Sequence, residues 1–110
     1  MEIKFHVQGS SADPYLITFI KDADGLIATC TCAAGAVGQY CKHRLAILGG
    51  DASAVVSGNR SDAETVVGWL ADTPVAIALD ALSTAERQLE DAKRAVAAAK
   101  KRLSQALSGR

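Results

Sequence analysis

A chain of 110 residues has room for one small globular domain and an extension, and its balance of twelve basic against twelve acidic residues excludes a uniformly basic surface that would draw it to nucleic acid or membrane. Hydrophobic residues make up 49% of the sequence but aromatics only 5%, so the core must be thin and the alanine-rich parts favour helix. No run approaches the roughly 18 apolar residues of a membrane span, and the start lacks the basic and apolar regions of a secretory signal, so the expected location is the cytoplasm.

Ile3, Phe5 and Val7 alternate with Lys4, His6 and Gln8, the period of a half-buried strand with His6 on its polar side. Gly9 to Pro14 is rich in turn formers. Tyr15 to Ile20 and Leu26 to Thr31 read as two further strands, joined by a tight hairpin in which Asp24 and Gly25 supply positive φ angles. Two or three antiparallel strands are therefore expected. Cys30 and Cys32, two apart, should project together from the end of the last strand. From Lys42 to Leu48 the pattern turns helical, with Leu45 and Leu48 inward and Gly49 and Gly50 as the stop. Asp51 to Gly58 reads as a turn of helix carrying Val55 and Val56 toward the core. Ser61 and Glu64 have the spacing of a capping box, and Val66, Val67 and Leu70 form an apolar stripe beside Trp69, which predicts a helix over about 62–71. Thr73 and Pro74 then suit the N-cap and first position of another helix.

That last helix is expected over 74–107. Val75, Leu82, Leu89, Val96 and Leu103 recur every seven residues, and Ala78, Ala85, Ala92, Ala99 and Ala106 form a second row three positions on. At 1.5 Å per residue such a helix is roughly 50 Å long, more than the N-terminal half can cover. Its charge runs from acidic (Asp80, Glu86, Glu90, Asp91) to basic (Lys93, Arg94, Lys100, Lys101, Arg102, Arg110), an order that suits an antiparallel helix partner and equally follows the helix dipole without any partner. Association with another helix, including self-association, and packing against the chain's own finger both remain open. The expected organisation is a small domain at 1–71 and a coiled-coil-like helix at 72–110.

All three cysteines and one of the two histidines fall between positions 30 and 43, as the pairs Cys30 and Cys32, then Cys41 and His43, with eight residues between the pairs. An odd number of cysteines argues against a disulfide framework. Three thiolates and one neutral imidazole satisfy tetrahedral zinc without leaving a position for water, so the site would be structural. With a divalent cation the set keeps a net charge of −1, which Lys42 and Arg44 beside His43 could offset. Gly35 and Gly38 would let the spacer fold back over the metal. Separately buried thiols and a redox-active dithiol at Cys30 and Cys32 are the alternatives, and neither explains why a third cysteine arrives with a histidine two residues later.

The pattern C-x-C-x(n)-C-x-H, with its first pair ending a hairpin and its second opening a helix, resembles the SWIM zinc finger. The resemblance covers about Tyr15 to Gly49, and the four ligand positions map onto Cys30, Cys32, Cys41 and His43. It implies a small finger-bearing protein that holds zinc and serves as a DNA-binding or protein-binding module, as SWIM fingers do in bacterial helicase-like proteins, transposases and signalling proteins. The C-terminal helix has no counterpart in that motif.

The fold class expected is α+β: a small antiparallel sheet and a short helix around structural zinc, then another short helix and the long heptad helix. Two functions follow from different features. A protein-interaction and assembly module would use the finger as a rigid head and helix 74–107 to bind a protein partner or a second copy. A nucleic-acid-binding finger would use Lys42, Arg44 and Arg60 together with Lys93, Arg94, Lys100, Lys101, Arg102 and Arg110 against phosphates. Residues 1–71 hold five basic against seven acidic side chains, which favours the first. No serine nucleophile, carboxylate pair, phosphate-cradling loop or open metal position can be assembled, so enzymatic activity is not expected.

Overall fold

The computed structural model describes residues 1–109 and contains three strands and four helices: β1 (Glu2–Val7), β2 (Tyr15–Asp22), β3 (Gly25–Cys30), α1 (Ala33–Ala36), α2 (Lys42–Leu48), α3 (Asp62–Gly68) and α4 (Pro74–Leu107). The chain forms two compact units, Met1–Ala76 and the helix from Ile77 onward. The class is α+β, as expected from strand patterns that all precede the helix patterns.

In the first unit the strands form an antiparallel sheet in the order β1-β2-β3. Phe5 lies opposite Ile17, Phe19 opposite Ala28, and Ile17 opposite Cys30. Because side chains alternate across a strand, this register puts Phe5, Val7, Ile17, Phe19, Leu26 and Cys30 on one face, and all six are buried. Phe5 and Phe19 are diagonal neighbours whose rings meet edge to face, with centroids 5.9 Å apart at 80°. Ile47 and Leu48 from α2, Val55, and Ala63 and Val66 from α3 complete the core. Leu45, expected inward, is only half-buried, and the neighbouring Ile47 takes its place.

The β2–β3 hairpin turns through Ala23 and Asp24, because Asp22 pairs with Gly25. Only Gly25 has a positive φ (139°); Asp24 does not. The turn is closed by the Asp22 carboxylate, whose Oδ1 accepts from the backbone N–H groups of Asp24 at 2.8 Å and Gly25 at 3.1 Å.

Residues 51–58 do not form the expected helical turn. They run along the free edge of β1, where Gln8 N–H donates to Ala54 O at 2.9 Å and Val56 N–H to His6 O at 2.8 Å, and Val55 makes a bridge with Val7. Val55 is buried and Val56 points out. An extended segment wins here because it satisfies the polar edge of β1, which a helical turn would leave open. Asn59 continues the cover by donating to Lys4 O at 2.9 Å.

That anchorage also displaces the expected capping box. Ser61 already has helical angles (φ −62°, ψ −22°) and its side chain caps nothing, whereas a capping hydroxyl needs an extended backbone. Asp62 N–H bonds to Asn59 O instead, at 2.9 Å. α3 ends at Gly68, short of the predicted Ala71, with Trp69 as its C-cap. Three residues later Asp72 turns the chain through a φ of 61°. Thr73 then caps α4 as the sequence suggests: its buried Oγ1 accepts from Ala76 N–H at 3.3 Å and donates to Leu70 O at 2.7 Å.

α4 is one uninterrupted helix of 34 residues with none of its side chains buried. Lys93 pairs with Glu90 at 3.3 Å, and Arg94 pairs with Asp91, both at the i, i+3 spacing that helices favour. Among the described residues no helix is long and apolar enough to cross a membrane.

Candidate metal centre

The four ligands reach one point from three kinds of backbone. Cys30 ends β3 on its buried face. Cys32 lies beyond the strand, not on it, as the N-cap of α1 with extended angles (φ −64°, ψ 163°), and its sulfur accepts from Gly35 N–H at 3.2 Å. Cys41 precedes α2, also extended, and His43 is the second residue of that helix. The three cysteines are at most 6% exposed and His43 is half-buried.

The one-turn helix α1 lies within the spacer, and close contact explains its glycine. A Cβ on Gly35 would stand 2.7 Å from Cys30 O and 2.8 Å from Cys30 Cβ, so only glycine lets the spacer fold this tightly over the strand end. Gly9 serves the other side of the site. A side chain there would strike the Tyr15 ring at 2.4 Å and approach His43 Nε2 at 3.1 Å. Tyr15 itself packs against the His43 imidazole, centroids 5.0 Å apart, and fixes one side of the ring. Neither Gly9 nor Tyr15 carries a metal-site signal in the sequence, since both act by shape and from outside the cysteine segment.

The donor atoms all lie within 4.8 Å of one another, and among the described residues they form the one cluster of three or more potential ligands. Cys32 Sγ and Cys41 Sγ are 3.4 Å apart, Cys41 Sγ and His43 Nδ1 3.6 Å, and Cys30 Sγ and His43 Nδ1 4.0 Å. Zinc–sulfur bonds of about 2.3 Å and zinc–nitrogen bonds of about 2.0 Å imply tetrahedron edges of roughly 3.5–3.8 Å, so these separations fit one shared zinc ion. His6, by contrast, is exposed on the outer side of β1 and belongs to no cluster.

Without metal the thiols are not equivalent. Burial pushes the Cys30 thiol up to about 12. Burial acts in the same sense on Cys41, but it is outweighed by the Arg44 backbone N–H and by contacts from Cys32, His43 and Cys30, which together hold that thiol down at about 6. A cation that binds all three sulfurs as thiolates relieves this crowding of like groups.

Arg44 closes the site from outside. Its Nη1 donates to Ala28 O on the outer edge of β3 at 3.0 Å, and its Nη2 to Gln39 O in the spacer at 2.6 Å. One guanidinium thus ties strand, spacer and α2 around the ligands. Lys42 remains exposed.

Residues 5–49 match the SWIM zinc finger family, a span that adds the end of β1 to the hairpin, spacer and helix carrying the motif. No curated protein and no solved structure matches the chain. This N-terminal segment is thus similar to the SWIM zinc finger over residues 5–49, and its three cysteines and one histidine are a donor set fitted to structural zinc.

Proposed function

We propose that the chain is a non-enzymatic interaction and assembly module, in which the zinc finger is a rigid head that binds a protein partner and α4 is the means of association. The observation that carries this reading is the apolar row of α4: Leu82, Leu89, Val96 and Leu103 are 36–60% exposed and recur at the same heptad position. A row of this length is the seam of a helix pair and has no use in water. The head is poorly equipped for phosphates. Arg44 is committed to two carbonyl oxygens, and Arg60 to two more, Val55 O at 2.9 Å and Ser53 O at 3.4 Å, leaving Lys42 as the free base of that trio. Four protein donors also leave a zinc ion no position for water or substrate, which supports a structural metal.

The nucleic-acid reading keeps one specific support. Lys100, Lys101 and Arg102 are exposed at the end of α4 and enter no ion pair among the described residues, while Arg110 lies outside them. Light scattering on the zinc-loaded chain, together with a mobility shift against mixed DNA and RNA across a salt series, separates the two. A mass above that of one chain with no retained nucleic acid is expected. A monomer whose nucleic-acid affinity falls steeply with salt would replace the assembly reading.

A further inference from the structure

Resting on the self-association proposed above, we infer that the partner of α4 is a second copy of the same helix, antiparallel and in one defined register. In that register Val75 faces Ala106 of the second copy, Leu82 faces Ala99, Leu89 faces Ala92, Val96 faces Ala85 and Leu103 faces Ala78.

Layer volume selects the direction. The seam of α4 has one row of large residues and one row that is alanine at every step. In a parallel, in-register pair each row meets itself, so layers of two large side chains alternate with layers of two alanines. No single helix separation suits both, and the alanine layers become voids. In an antiparallel pair each position of one row meets a position of the other. Every layer then holds one large residue and one alanine, and the helices approach closely along their whole length.

Charge selects the register. Full overlap of the five layers brings Glu86 beside Lys93 of the second copy, twice by symmetry. Glu86 enters no ion pair within the described residues, and Lys93 holds only the solvent-exposed Glu90. Sliding by one heptad in one direction sets Glu86 beside Glu86 of the second copy; sliding in the other sets Lys93 beside Lys93. Both slips also lose a layer at each end of the pair. A parallel pair offers these groups no opposite charge, because it places Ala81 beside Glu86 and Gln88 beside Lys93. Antiparallel dipoles add to the preference, since the acidic half of each helix then lies along the basic half of the other. The N-terminal ends of the two helices lie at opposite ends of a paired segment roughly 50 Å long.

Orientation is read by cross-linking the full-length, zinc-loaded chain under mild oxidation, with the unsubstituted chain as the control for the three native cysteines. A mixture of Leu82→Cys and Ala99→Cys chains is expected to give a covalent dimer, and Leu82→Cys alone is not. Cross-linking of Leu82→Cys with itself would establish a parallel pair and overturn the proposal. A second measurement leaves the seam intact. Glu86→Lys should weaken dimerisation about ten-fold, and Glu86→Lys combined with Lys93→Glu should restore it. A stable dimer without that restoration defeats the register while leaving self-association standing. A monomer by light scattering defeats both.

Discussion

Gly35 shows how little room the site leaves for ordinary residues. The Cβ of Gly35→Ala would meet the backbone and Cβ of Cys30 within 3 Å, and neither can move without moving a ligand. We expect Gly35→Ala to destabilise the zinc-loaded finger by about 1–3 kcal/mol in urea unfolding. Gly58→Ala, where an added Cβ meets nothing within 4 Å, is the matched control and should change little. The thiols set a pH dependence at the same scale. In the metal-free fold Cys30 is raised from 9.0 to about 12, so its protonated form favours the fold below pH 9 and that contribution is lost as the pH rises toward 12. Cys41 is lowered from 9.0 to about 6, so its contribution is present above pH 9 and lost as the pH falls toward 6. Zinc needs both as thiolates and therefore competes with protons, most of all at Cys30. Zinc affinity, followed with a chromophoric chelator, should rise with pH through the neutral range; an affinity indifferent to pH would contradict thiolate ligation.

Between elements, the strap made by Arg44 is the most exposed to test. It bonds two carbonyl oxygens in directions that a planar fork can reach at once and a single ammonium cannot. Arg44→Ala is expected to lower stability by about 1–3 kcal/mol, and Arg44→Lys should recover only a small part of it, as measured by thermal unfolding of the zinc-loaded chain. If lysine restored full stability, charge near the metal would be the role of the residue and the strap would not. The elements that were legible in advance are those with a local signal. Alternation marked β1, strand-forming runs on either side of the turn at Asp24 and Gly25 marked β2 and β3, the heptads marked α4, and paired Cys-x-Cys and Cys-x-His spacing marked the ligands. The rest depended on contacts distant in sequence. α1 is too short to show periodicity. Residues 51–58 are extended because β1 has an open edge, and no residue among them announces that neighbour. Ser61 and Glu64 had the right spacing for a cap, but Asn59, held on Lys4 O some fifty residues away, had already placed the backbone in the wrong conformation for it.

For the molecule as a whole, the division into two units predicts two separable responses to metal removal. Trp69, the single tryptophan, belongs to the first unit, whereas α4 supplies most of the helical residues. A strong chelator is expected to change Trp69 fluorescence and abolish the finger's thermal transition, because zinc binding contributes on the order of 10 kcal/mol to folds of this kind. The far-ultraviolet helical signal should fall only in part, since a helix of this length is past the size at which isolated helices are marginal. Retention of the finger's transition in chelator would remove the metal from its stability. The closeness of the ligands along the chain has a further consequence. Because all four lie within one short stretch, an unfolded chain can still gather several of them around a cation at little loop-closure cost. Zinc then has an affinity for the denatured ensemble as well, and mass action subtracts that affinity from the stabilisation the metal confers on the folded finger. Measured stabilisation should therefore fall short of what the affinity of the folded site alone would give, and should level off once zinc is abundant enough to saturate both states.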